Sequence, residues 1–131
     1  MRRPERSGNM QWVARTVVIV DDHAGYRAHA AGLLEAAGYE VVGSCPDGTS
    51  ALAAIAALRP DVVLLDVQLP DIDGFGVIAQ LDAIGEGPIV VLISTREAAD
   101  YGSRVGRSGA AGFITKSELS ARSLDQLVTR P

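Results

Sequence analysis

The 131-residue chain has almost no lysine: of twelve Lys and Arg residues eleven are Arg, and Lys116 stands alone. It has a single cysteine, Cys45, which excludes an internal disulfide framework and any CxxC metal site and fits a reducing, cytoplasmic setting. Cys45 itself reads as a small buried thiol at the end of a strand. No apolar run approaches the roughly 18 residues that a membrane-spanning helix needs. The chain also lacks a basic stripe: sixteen acidic residues face those twelve bases, for a net charge of -4. Its arginines are scattered or gathered at the extreme N-terminus, which argues against direct nucleic-acid binding. Arg2, Arg3 and Arg6 resemble the basic start of a signal peptide, but Ser7 to Arg15 mixes polar and apolar residues where an apolar stretch would have to follow. Residues 1 to about 14 read as a flexible arm and residues 15–131 as one domain, long enough to bury a sizeable core.

What is present is an alternation of short apolar runs and helical periods. Thr16 to Val20 is a β-branched run, too short for a helix and apolar on both faces, as expected of a central strand in a parallel sheet. Tyr26, Ala30, Leu33, Leu34 and Ala37 follow at helical spacing, with Gly38 as a stop. A second strand is expected over Glu40 to Ser44, then a helix capped by Asp47 with Ala51, Leu52, Ile55 and Leu58 on its core face, ended by Pro60. Asp61 to Leu65 reads as the third strand. The polar turn Pro70 to Gly74 leads to a helix facing the core with Val77, Ile78, Leu81 and Ile84. Ile89 to Ile93 gives a fourth strand. The fourth helix, roughly Glu97 to Arg107, has only Ala98, Tyr101 and Val105 to bury and contains Gly102, so it should be the least stable. Ala111 to Thr115 makes a fifth strand, and Leu119, Leu124, Leu127 and Val128 belong to a last short helix. Such βα units with short connections imply an α/β fold, a doubly wound parallel sheet covered on both faces. The pattern resembles the flavodoxin-like class, and that resemblance implies a (βα)5 three-layer sandwich with strand order 2-1-3-4-5.

In a sheet of this kind ligands bind beyond the carboxyl ends of the strands. There the first strand ends in Asp21 and Asp22, the third in Asp66, the fourth in Ser94 and Thr95, and the fifth in Thr115 and Lys116. One aspartate after a strand is commonly a helix cap; polar groups at four strand ends together point to a site. Carboxylates brought this close repel, and without a cation at least one would have its pKa raised. A hard divalent cation with oxygen ligands resolves the repulsion, as Mg²⁺ does at phosphoryl-transfer sites. A lysine across the cleft can pair with a carboxylate at rest and neutralise a phosphoryl oxygen during transfer. The chain has neither a Gly-rich phosphate cradle nor a GxSxG elbow, so the pattern favours phosphoryl chemistry with a carboxylate nucleophile.

These residues resemble the receiver domain of two-component response regulators over about Thr16 to Val128. The elements are the acid pair Asp21-Asp22, the segment Asp66-Val-Gln-Leu-Pro-Asp-Ile-Asp-Gly74, Ser94 after an apolar strand, and Gly109-Ala-Ala-Gly-Phe-Ile-Thr-Lys116. The resemblance implies that Asp66 is the phosphoacceptor, taking a phosphoryl group from a sensor histidine kinase or a histidine phosphotransfer protein. It implies Mg²⁺ held by Asp22 directly, by Asp21 largely through water, and by a carboxylate oxygen of Asp66 and the backbone carbonyl of Gln68. Lys116 would bridge to the phosphoryl group, and Ser94 would donate its hydroxyl to it, with Thr95 as a competitor for that role. Phe113 stands where the family places an aromatic that changes rotamer with the loop after the fourth strand; its plain role is a core aromatic. Ser117 replaces a frequent proline, as in subfamilies with DNA-binding output, and Leu69 replaces a frequent methionine. Gln68 and Arg96 flank the pocket. His23 and His29 read as loop and helix-surface residues.

The leading expectation is a cytoplasmic, phosphorylation-dependent signalling switch whose surface of fourth helix, fifth strand and last helix controls a partner or a fused output domain, with no turnover of an external substrate. A phosphorylation-independent interaction module is the alternative, disfavoured by the intact acidic set. A free-standing aspartyl-phosphate phosphatase is disfavoured, since the chain has no Asp-x-Asp nucleophile motif and no substrate cap. Few residues follow the last helix, so the chain reads either as a stand-alone receiver or as the receiver of a longer regulator. Arg104, Arg107 and Arg122 could serve salt bridges in a homodimer, though surface charges of this kind are commonly just solvated.

Overall fold

A computed structural model describes residues 15–85 and 87–128 of the chain. The arm expected over residues 1–14 lies outside these. Five parallel strands, β1 (Thr16–Val20), β2 (Glu40–Cys45), β3 (Val62–Asp66), β4 (Ile89–Ser94) and β5 (Gly112–Thr115), form one sheet in the order β2-β1-β3-β4-β5. Helices α1 (Ala24–Ala36), α2 (Gly48–Leu58), α3 (Gly74–Ile84), α4 (Arg104–Arg107) and α5 (Ala121–Val128) connect and cover it. The doubly wound three-layer arrangement is therefore the one expected from the alternating pattern.

Each central strand is buried on both sides, and its period of two divides the core. Val17, Ile19, Val62, Leu64, Val91 and Ile93 face a layer made by Ala30 and Leu34 of α1 and Leu124 and Val128 of α5. Val18, Val20, Val63, Leu65, Val90 and Leu92 face Ala51 and Ile55 of α2 and Val77, Ile78 and Leu81 of α3. A strand that must satisfy two apolar layers cannot alternate with polar residues, which is why these runs are continuous. Asp47 caps α2 by accepting the Ser50 N–H at 2.8 Å, and Asp73 caps α3 by accepting from Gly76 at the same distance.

Three expected core-facing positions are not core. Leu58 is 46% exposed and Ile84 73%, because each is the last residue of its helix, beyond the turn that rests on the sheet, and Ala37 is exposed just past the end of α1. The fourth helix is also not continuous over Glu97 to Arg107. Ala98–Tyr101 forms a 3-10 turn, Gly102 takes a positive φ of 61°, and only the four residues of α4 are helical beyond it. Glu97 and Asp100 close a reciprocal capping box at the start of that turn, and the positive φ of Gly102 at its end stops it from continuing into α4. Leu119 is buried but precedes α5 rather than lying in it. Among the described residues no helix is long and apolar enough to cross a membrane.

Candidate functional site

The register brings the acidic strand ends together. Val20 pairs with Leu65 across β1 and β3, so the next residues, Asp21 and Asp66, emerge side by side at the point where the strand order reverses. On the other side Ser94 pairs with Thr115, and Lys116 follows at once. Gly74 permits the β3–α3 loop to turn back over Asp66: its N–H donates to the Val67 carbonyl at 2.8 Å, and a Cβ there would stand 2.7 Å from the Asp66 carbonyl oxygen.

Asp21 is fully buried and Asp66 is 3% exposed, whereas Asp22 is at the surface. Lys116 Nζ sits between the two buried acids, 2.5 Å from Asp21 Oδ2 and 3.0 Å from Asp66 Oδ2. The remaining oxygen of Asp66 accepts the Gln68 N–H at 3.0 Å, and Asp21 Oδ1 accepts the His23 N–H at 2.8 Å. Burial pushes the Asp66 carboxyl above the usual carboxylate range, helped by the Asp21 charge and opposed by Gln68 and Lys116. Burial alone would lower the Lys116 pKa, but its bonds and charge contacts with Asp21 and Asp66 carry it above the ordinary lysine value.

The donor set fits a hard divalent cation. One ligand atom from each of Asp21, Asp22, His23 and Asp66 lies within 4.8 Å of the others. Asp21 Oδ2 is buried and already meets one cation, the Lys116 ammonium at 2.5 Å, and the converging carboxylates are the hard oxygen donors that a divalent cation takes. Ser94 is fully buried while Thr95 is exposed, so the hydroxyl directed inward at the end of β4 is that of Ser94. Phe113 on β5 is half-buried, Gln68 and Arg96 are exposed at the rim, and Cys45 is buried at the end of β2 with its thiol pushed up by desolvation.

Several participants were not singled out from sequence. His23 is not simply a loop residue: its Nδ1 lies 3.2 Å from Asp21 Oδ1 and 3.1 Å from Asp22 Oδ1. Tyr26, expected only as a core-facing helix position, lays its ring 4.9 Å from Lys116 Nζ and donates a weak hydrogen bond of 3.4 Å to the Lys116 carbonyl. Its pKa is pushed up to about 12 by burial and by the charges of Asp21 and Asp66. Arg27, one residue on, donates to the Asp21 carbonyl at 2.6 Å and to Ser44 Oγ at 2.9 Å, tying α1 to the acid pair. Asp71 accepts from Gly48, Thr49 and Ile72 and so fastens the β3–α3 loop to the start of α2; the Thr49 hydroxyl and those N–H groups hold its carboxyl well below the usual range. The one signal available for Tyr26 and Arg27 was their place one turn into the helix that follows the acid pair.

Fold and site together define a class: a flavodoxin-like α/β domain with a buried acidic pocket and an opposing lysine at the topological switch point. The chain belongs to the response regulator receiver domain family, whose model matches residues 17–129. It is 35% identical over 102 residues to the virulence-factor transcription regulator BvgA of Bordetella pertussis, covering 78% of this chain and 49% of that protein. To the DNA-binding transcriptional activator EvgA of Escherichia coli K12 it is 31% identical over 101 residues, covering 77% of this chain and 50% of the relative. The chain thus spans about half the length of these curated relatives. Among solved structures, the signal receiver domain of the response regulator NarL from Mycobacterium tuberculosis superposes with a TM-score of 0.78 at 34% identity, over 89% of this chain and 98% of that one. The family is a signalling domain of two-component systems.

Proposed function

We propose that this receiver domain takes a phosphoryl group onto Asp66 and uses the aspartyl phosphate as a signal. The observation that carries the reading is the single lysine of the chain held between two buried carboxylates at the switch point. A carboxylate oxygen of Asp66 attacks the phosphorus of a phosphohistidine; the P–N bond breaks and its electron pair leaves with the imidazole nitrogen, which is protonated. The donor is a sensor histidine kinase or a histidine phosphotransfer protein. Asp21, Asp22, Asp66 and the backbone carbonyl of Gln68 would hold Mg²⁺, whose bound charge offsets the repulsion among carboxylates and phosphoryl oxygens. Lys116, already against Asp66, exchanges part of its contact with the carboxylate for one with the phosphoryl group. Ser94 donates its hydroxyl to the same group, with Phe113 adjusting beside it. The altered α4-β5-α5 surface then acts on a partner, a fused output domain or a second copy of the chain, and no external substrate is turned over.

The test is incubation with Mg²⁺ and a small acyl or amido phosphate donor. The wild type gains the mass of one phosphoryl group, and Asp66→Asn gains none. Lys116→Arg keeps the fold but takes up phosphate more slowly or fails to transmit it, because a broad guanidinium fork does not fit where a slim ammonium lies between two carboxylates. An equal gain in Asp66→Asn would refute the assignment.

A further inference from the structure

The segment between β4 and α4 carries a contact that phosphoryl transfer does not require. The Tyr101 hydroxyl lies 2.7 Å from Ser94 Oγ, which also accepts the Arg96 N–H at 3.0 Å. Ser94 is fully buried, so its hydroxyl is engaged by these groups rather than by bulk water. The Tyr101 ring is wedged between Phe75 at the start of α3 and Phe113 on β5, with centroid separations of 5.8 and 5.9 Å. Arg104 closes the stack, its guanidinium 4.2 Å from the Phe75 ring and 3.5 Å from the Asp73 carboxylate. Thr115 Oγ1 adds a weak hydrogen bond of 3.4 Å to Glu97 Oε1. Apart from these ties the strap over residues 97–107 is thinly held: neither its 3-10 turn nor α4 contains a buried residue.

Phe113 has a ring and no hydroxyl, and the hydroxyl that meets Ser94 comes from the strap itself. We propose that Tyr101 is the latch of this switch: its hydroxyl holds Ser94 in the resting domain, and phosphorylation of Asp66, by drawing the Ser94 hydroxyl to the phosphoryl group, releases Tyr101 and frees the strap. The inference rests on the phosphoacceptor role proposed above for Asp66. A serine hydroxyl has one proton and two acceptor sites, and one of those sites is taken by Arg96. A charged phosphoryl oxygen outcompetes a neutral phenol for its orientation. Once Ser94 turns away, the Tyr101 hydroxyl is left without its partner in an aromatic niche, which disfavours the packed position of the ring. Tyr101 acts through Ser94 and is therefore a positioning residue.

Amide hydrogen exchange of the full chain, with mass gain at Asp66 measured in the same samples, tests the latch. Tyr101→Phe keeps the ring and loses the hydroxyl. In the unphosphorylated state this variant should exchange residues 97–107 severalfold faster than wild type, reaching the rate of phosphorylated wild type, and phosphorylation should add nothing more. Ser94→Ala removes the same bond from the other side and should reproduce the effect, with the double variant no faster than either, while β1 and β3 exchange as in wild type. Equal strap exchange in resting wild type and Tyr101→Phe, with wild type phosphorylated normally, overturns the latch alone. Fast exchange in Tyr101→Phe that still rises on phosphorylation also overturns it, since that is loosened packing and not an opened latch. No phosphoryl gain on wild-type Asp66 removes the phosphoacceptor reading and the latch with it.

Discussion

The two walls of the acidic pocket are made differently. On one side, Val17 to Val20 and Val62 to Leu65 expose no surface at all, and the acids that follow them are fixed by Arg27, His23, Gln68 and Lys116. On the other side the chain leaves β4 into a strap that buries none of its helical residues and is tied down by the Tyr101–Ser94 hydroxyl pair, a weak hydrogen bond from the Thr115 hydroxyl to Glu97, an aromatic stack and a guanidinium. In the proposed function the acids meet a phosphoryl donor in a set geometry, which needs the first kind of support. A surface that must change in response needs the second, since moving elements come from the low-stability end of a fold.

Deleting core volume breaks the comparison most severely. Leu64→Ala, at a site with no exposed surface, should cost about 2–5 kcal/mol of unfolding free energy. Val105→Ala, at the one half-buried residue of α4, should cost less than about 1 kcal/mol. Denaturant titration of both variants checks this. Similar losses would mean that the strap is part of the cooperative core.

A smaller effect sharpens the electrostatic side of the comparison. The Asp66 pKa is raised in the folded protein, so the fold binds more protons than the unfolded chain between the ordinary carboxylate value and the raised one. Wild-type stability without divalent cations should therefore fall as pH rises through that interval and stay lowered above it. Asp66→Asn lacks the term, so it should melt higher than wild type at neutral pH, and the gap should close as the medium is acidified. Thermal melts across pH in a chelator read this directly. A less stable Asn variant at neutral pH would show that the Lys116 pair outweighs the cost of burial.

The rigid wall was the more legible one in the sequence. Continuous β-branched runs can only be strands covered on both faces, and Asp21, Asp22, Asp66, Ser94 and Lys116 are visible because each directly follows or ends such a run. The capping aspartate Asp47 is a local signal and was equally readable. What escaped was set by tertiary approach. Tyr26 meets Lys116 across 90 positions of sequence, and Asp71 reaches back 22 positions to Thr49. His23 joins the acid cluster only because the turn after β1 folds its ring over both carboxylates. Tyr101 looked like one more core contact, since nothing local says that its hydroxyl ends at Ser94. The thin apolar face of the fourth helix announced weakness but not where the helix breaks; that depended on the positive φ that Gly102 adopts.

The smallest expected effect is also the most informative about the strap. Gly102 adopts φ 61° and ψ -135°, a conformation open essentially to glycine alone, and nothing lies within 4 Å of where its Cβ would stand. Gly102→Ala is therefore strained by backbone and not by crowding. In the rigid wall such strain would be paid by the whole domain. In the strap the segment can relieve it by rebuilding, and alanine favours the continuous helix over residues 97–107 that the sequence periodicity suggests. The expected result is a change in global stability below about 0.5 kcal/mol, together with slower amide exchange across 97–107. A loss as large as that of Leu64→Ala would place Gly102 in the cooperative core and remove the distinction between the two walls.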